Sequence, residues 1–230
     1  MNELTRPPIS KNKPRKRRQL FSFTEKIALL ISGFFHPLTI PTYMFAVLFR
    51  YFVELVPLSL QGKTALLIQV FVFSFIMPAA VSSTLYVSGG IKSMISQSRQ
   101  ERTLPLLISA IIYSGASWVY VFVLKADKII SLTFLSITIC VFLGVVGNRF
   151  LKISLHGIGI GGALGYFLAI QNHHPEPEFM FPFVVIVLLS GLAIWSRFAL
   201  NAHSQKEIYL GLFLGMLGGS APIMLILQSF

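Results

Sequence analysis

The sequence predicts an all-α fold, a polytopic transmembrane helical bundle of six or seven spans. Three observations carry that prediction. Of the 230 residues, 54% are hydrophobic and only 12% charged, against about 25% charged in a soluble domain; the mean hydropathy is +0.74. Seven nearly uncharged stretches, 27–49, 64–91, 104–124, 129–148, 153–172, 179–196 and 208–230, approach or exceed the roughly 20 apolar residues a bilayer crossing needs. None alternates polar and apolar residues as a barrel strand does, and in lipid that leaves the helix to satisfy the backbone.

Two regions follow from this pattern: a basic N-terminal tail over 1–26, and one helical bundle over 27–230 with short loops and no separate soluble domain. The tail holds eight Lys and Arg against Glu3 and Glu25, with Lys11, Lys13 and Arg15 to Arg18 set among Pro7, Pro8 and Pro14. Such a composition predicts disorder and attraction to an anionic membrane surface. It also predicts a cytosolic N-terminus, in a membrane of the bacterial inner (cytoplasmic) kind. The net charge of +11 is therefore read as a membrane signal, and nucleic acid is excluded as a partner. No small-residue cleavage site follows the first apolar run, so the tail is not read as a leader.

The stretches differ in character. The first contains His36-Pro37 and Pro41, which kink or break a helix. It crosses once at a tilt or dips in and returns, and His36-Pro37 is read as structural. The fourth contains the single cysteine, Cys140, a small core or lipid-facing residue that has no partner for a disulfide within the chain. The fifth is crowded with Gly157, Gly159, Gly161 and Gly162, which serve close helix packing or close approach to a ligand. Between the fifth and sixth, His173, His174, Glu176 and Glu178 are read as a solvated loop rather than a metal site.

If every stretch crosses, the loops after the second, fourth and sixth share one membrane face. They carry Lys92, Arg99, Glu101 and Arg102; Arg149, Lys152, Ser154 and His156; and Arg197, His203, Lys206 and Glu207. In Ser196-Arg197-Phe-Ala-Leu-Asn-Ala-His203-Ser-Gln-Lys-Glu207, the last two named residues are four apart and on a helix would share a face. A carboxylate there can hold one ring nitrogen and leave the other free to attack or to take a proton. Arg197 offers a planar fork that fits a phosphate. Lys152-Ile-Ser154-Leu-His156 opens the fifth stretch, where a serine hydroxyl and helix N-terminal amides favour an anion and His156 can protonate a leaving oxygen. Arg99 and Arg102, at the mouth of the third stretch, add guanidinium groups.

The Ser196-Arg197, five residues, His203, three residues, Glu207 pattern resembles the third signature of the type 2 phosphatidic acid phosphatase superfamily, which is shared with vanadium haloperoxidases. That signature ends in Asp where this chain has Glu. The second signature, Pro-Ser-Gly-His, is similar to Ile153-Ser154-Leu155-His156, which keeps the Ser-x-His spacing. The first, Lys, six residues, Arg-Pro, is met only loosely by Arg102 with Pro105; position 95 is Ile, and Arg99 or Lys92 is left to stand in for the lysine. The resemblance implies a metal-independent lipid phosphatase without cofactor. His203 would be the nucleophile that forms a phosphohistidine, Glu207 its orienter and His156 the acid. Arg197, Arg102, Ser154, Lys152 and Arg99 would bind phosphate. The implied partners are membrane lipids and a lipid phosphate substrate: phosphatidate, phosphatidylglycerol phosphate, a polyprenyl diphosphate or a lipid A phosphate. No obligate protein partner is implied.

Two other functions compete. A protein of the same fold could bind or move a lipid phosphate without turning it over. A magnesium-dependent membrane transferase would need clustered aspartates, and the only aspartate is Asp127, in a loop of the opposite face.

Overall fold

The computed structural model describes residues 22–91 and 99–227. Among them the chain is helical, with no strand. We label α1 (Phe23–Phe34), α2 (Ile40–Tyr51), α3 (Leu60–Val87), α4 (Arg99–Val123), α5 (Lys128–Phe150), α6 (Leu155–His173), α7 (Met180–Ala199) and α8 (Gln205–Leu227). Five segments are long and apolar enough to cross a membrane: Leu60–Val87, Arg99–Val123, Lys128–Phe150, Pro177–Ala199 and Gln205–Leu225. The chain is thus an all-helical membrane protein. The basic block of the tail and Lys92 lie outside the described residues. Residues 23–26, expected as the end of the tail, form the first turn of α1, because Ser22 and Glu25 make a reciprocal capping box.

The first apolar stretch breaks in two, as its prolines require. Pro37 and Pro41 carry no N–H, and the five residues between α1 and α2 turn the chain instead. Thr39 Oγ1 donates to the carbonyls of His36 (2.8 Å) and Phe34 (3.1 Å), and Tyr43 Oη donates to Phe34 O (3.0 Å). Carbonyls freed by the break are therefore satisfied locally. In α3, Pro78 likewise removes the donor that Ser74 O would use, and Tyr113 Oη of α4 donates to it at 3.2 Å. A π turn over Val72–Ile76 marks the spot.

α6 stands at the centre and is not among the five long apolar segments. Glycine and the polar residues His156, Gln171 and Asn172 dilute it, and its neighbours rather than lipid surround it. Gly157, Gly161 and Gly165 press on the α8 backbone at Ile208, Leu212 and Met216, and Gly211, Gly215 and Gly219 of α8 press on the backbone of Ser154, Ile158 and Gly162. A Cβ on Gly161 would stand 2.1 Å from Leu212 O, and one on Gly215 would stand 2.3 Å from Ile158 O. Only backbone fits there, so of the two readings of these glycines it is packing that applies to Gly157 and Gly161. Gly162 serves it too, against the Cys140 sulfur, so Cys140 is a core residue. Partners rise together along both helices, so α6 and α8 run parallel with their N-termini side by side. Ser154 N–H donates to Glu207 O at 3.2 Å and locks the two first turns together.

Interhelical polar contacts pin the remaining helices: Ser117 with Thr138 (2.6 Å), Thr133 with Tyr166, and Tyr120 with Gln69. At the far end from these N-termini, Phe52, Phe167 and Phe179 pack as one buried aromatic cluster. Outward faces carry Phe122, Phe181, Leu188 and Leu225, the side chains lipid would cover.

Candidate functional site

The parallel N-termini of α6 and α8 define one end of the bundle, and the signature-like residues gather around it. The positive ends of two helix dipoles lie together there. Arg197 leaves the last turn of α7. The chain then turns through Asn201, whose φ of 48° is the left-handed conformation asparagine tolerates, and reaches His203 just before α8.

His203 and Glu207 meet by a route the i, i+4 spacing did not anticipate. His203 is outside the helix, and Ser204 is its N-cap. Ser204 Oγ accepts from Glu207 N–H (3.4 Å) while Glu207 Oε2 accepts from Ser204 N–H (3.1 Å), a capping box. That fold-back places the same Oε2 3.0 Å from His203 Nδ1. The carboxylate thus starts the helix and holds the ring. It assigns the neutral imidazole its proton at Nδ1 and leaves Nε2 with its lone pair. The His203 side chain is only 2% exposed. Burial, the largest cause, lowers its pKa below the ordinary imidazole value; the Glu207 hydrogen bond opposes this, and Arg102 and Arg197 reinforce it.

A cavity of about 430 Å³ opens in front of this ring. His203, Arg197, Arg102, His156 and His36 line it, together with Ser32, Ser82 and Ser109, and among the described residues no carboxylate joins that lining. Arg197 Nη1 donates to Ser32 Oγ at 2.6 Å, while its Nε is buried without a protein partner. Arg102 reaches Ile153 O at 3.4 Å. Two guanidinium groups held together in a partly buried cavity repel, and an anion between them removes that repulsion.

The other expected ligands stand outside the cavity lining. Ser154 is fully buried and caps α6: its hydroxyl accepts from Gly157 N–H at 3.2 Å, so it builds the helix start and does not face a ligand. Lys152 Nζ donates to Ala202 O at 3.4 Å and braces the His203 turn. Arg99 donates to Phe150 O at the helix mouth. Both cations satisfy carbonyls of neighbouring connections and hold the three loops to one another.

His156 lies in the cavity wall, but its Nε2 is engaged, 3.1 Å from Ser32 O and 3.2 Å from Ser32 Oγ. His36, read as structural, accepts the Leu38 N–H on its Nδ1 at 3.3 Å. It sits in the break, yet it lines the cavity, its ring 5.8 Å from that of His156 and edge-on to it. Ser32 and His36 were not anticipated as site residues, since nothing local in α1 reports a contact made with α6 and α7. A break before Pro37 in an otherwise apolar stretch was the available signal.

Compared with protein-family models, curated proteins and solved structures, the chain matches none.

Proposed function

We propose that the protein is an integral membrane phosphatase of lipid phosphates, acting through a phosphohistidine on His203, as the resemblance to type 2 phosphatidic acid phosphatases implies. The observation that carries this reading is the single carboxylate oxygen that holds His203 Nδ1 behind a cavity lined by Arg102 and Arg197. With Glu207 on Nδ1, Nε2 is the attacking atom. It forms a bond to phosphorus as the ester P–O bond breaks in line. The leaving alcohol oxygen takes a proton from His156, the acid the resemblance implies, and water then displaces the phosphoryl group from His203, returning a proton to His156. Arg102 and Arg197 hold the phosphoryl oxygens throughout, so positioning and charge supply most of the catalysis.

In this reading α2 through α8 all cross, adding α2 and α6 to the five long segments. α2 runs from Ile40 beside Gly159 to Tyr51 beside Phe179, towards the aromatic end of the bundle. α1 then lies at the site end, and the basic tail shares the site's face, the cytosolic one.

Phosphate release from a panel of lipid phosphates, with EDTA present, tests the proposal. Release that survives EDTA and disappears in His203→Ala supports it, and EDTA-sensitive release points to a magnesium enzyme. One observation favours the second reading, a lipid phosphate binder without turnover: His156 Nε2 is bound to Ser32 instead of being offered to a leaving group. Binding of the lipid without release would establish that reading.

A further inference from the structure

The break between α1 and α2 places in the cavity a histidine that neither the signatures nor the proposed mechanism uses. His36 Nδ1 accepts the Leu38 N–H at 3.3 Å. That bond assigns the imidazole proton to Nε2. It also opposes the imidazolium, because a proton on Nδ1 would face the Leu38 N–H. The segment that carries the ring is fixed by the two Thr39 hydrogen bonds and by Tyr43. His156 covers one side of the ring, Arg197 acts on it through space, and Arg102 and His203 line the same cavity. Among the described residues two cations and three imidazoles line this space, the Glu207 carboxylate standing behind the His203 ring, and with His203 Nδ1 on Glu207 and His156 Nε2 on Ser32, His36 is the imidazole whose protonated nitrogen we assign to the space.

Building on the phosphatase reading, we propose that His36 is a phosphoryl-binding residue, a permanently neutral Nε2–H donor to a phosphoryl oxygen. It is not a proton-transferring acid. Its donation acts on oxygens that every phosphate ester shares, so its effect is independent of the leaving group. No titration accompanies it.

The test uses the full chain in lipid–detergent micelles with His36→Phe, which keeps the ring volume and loses the donor, and His36→Gln, whose amide nitrogen lies near the imidazole Nε2. kcat/KM is measured on a short-chain phosphatidate and on p-nitrophenyl phosphate across pH. Thermal protection by inorganic phosphate is measured alongside. Phe should lower kcat/KM on both esters by a similar factor, on the order of 10²-fold, the scale for one lost oxyanion donor. Gln should recover part of that loss, both pH limbs should stay in place, and phosphate should no longer protect the Phe variant.

A loss confined to phosphatidate, a displaced alkaline limb, or a parental rate in Phe would overturn the proposal. Should His36→Phe not fold, the Gln variant decides: phosphate protection kept by Gln supports the donor, and protection lost from folded Gln overturns it. If the parent hydrolyses no ester, the phosphatase reading fails by itself. Phosphate protection present in the parent and in His203→Ala but lost in His36→Phe would still support His36, and its absence from the parent would overturn it.

Discussion

At the scale of single residues, one carboxylate oxygen serves both a helix start and a histidine. Glu207→Gln separates these tasks, because glutamine can still close the capping box with Ser204. Helix α8 should therefore start normally, and kcat should fall on the order of tenfold, since a neutral amide stabilises developing imidazolium charge less well. Equal kcat values in the parent and Glu207→Gln would reduce Glu207 to a cap. The same variant predicts a pH effect. His203 must be neutral to attack, so kcat/KM falls as pH drops through its pKa, which burial and the facing Arg102 and Arg197 hold below 6.5. Removing the Glu207 carboxylate removes an influence that raises that pKa, so the acid limb should move to still lower pH. The substrate's own second ionisation is common to both proteins. A limb that moves upward in Glu207→Gln would contradict the assignment.

The residue scale also shows what a sequence can and cannot display. Arg197, His203 and Glu207 were legible because they flank or occupy one short connection between two helices. The cap role of Ser154 was not, since a serine before a helix looks alike whether its hydroxyl meets a ligand or the Gly157 N–H. Ser32 and His36 were hidden by distance along the chain: their partners His156 and Arg197 belong to helices that only the fold brings near.

At the scale of elements, α1 holds the site together from outside the signatures. Ser32 Oγ receives Arg197 at 2.6 Å, and Ser32 O and Oγ both meet His156. Ser32→Ala should keep the backbone contact to His156, release Arg197, and raise KM for a lipid phosphate several-fold to tenfold with a smaller change in kcat. An unchanged KM would show that α1 does not set Arg197. The α6–α8 pair carries a different prediction. Gly161→Ala drives a Cβ toward Leu212 O, a backbone atom that cannot swing aside, so the helices must part. Overpacking of this kind costs about 1–3 kcal/mol, and a lower Tm together with lost activity is expected. Gly191→Ala on α7 meets nothing within 4 Å and should leave both unchanged. If the two variants melt alike, the close approach of α6 and α8 is not what supports the site. The glycine run of α6 was visible in sequence; the matching Gly211, Gly215 and Gly219 of α8 were not singled out, because a four-residue spacing of glycines in an apolar run gains meaning only once its partner helix is known.

At the scale of the whole molecule, the signature-like residues gather at one end of the helical bundle, with aromatic packing at the other. Cys140 is buried among the described residues, so single cysteines can be introduced beside it and labelled with an impermeant maleimide. Ser204→Cys and Arg149→Cys should label from one side of the membrane and His174→Cys from the other. Ser204 and Arg149 labelling from opposite sides would break the proposed arrangement of crossings.

The most direct test of the central claim is to trap the intermediate. The protein is mixed with a lipid phosphate carrying radiolabelled phosphorus, quenched in alkali, digested and mapped by mass spectrometry. An acid-labile, alkali-stable phosphoryl group is expected on the peptide containing His203, gone in His203→Ala and retained in Ser32→Ala. Turnover without label on that peptide, or label that persists in His203→Ala, would contradict it.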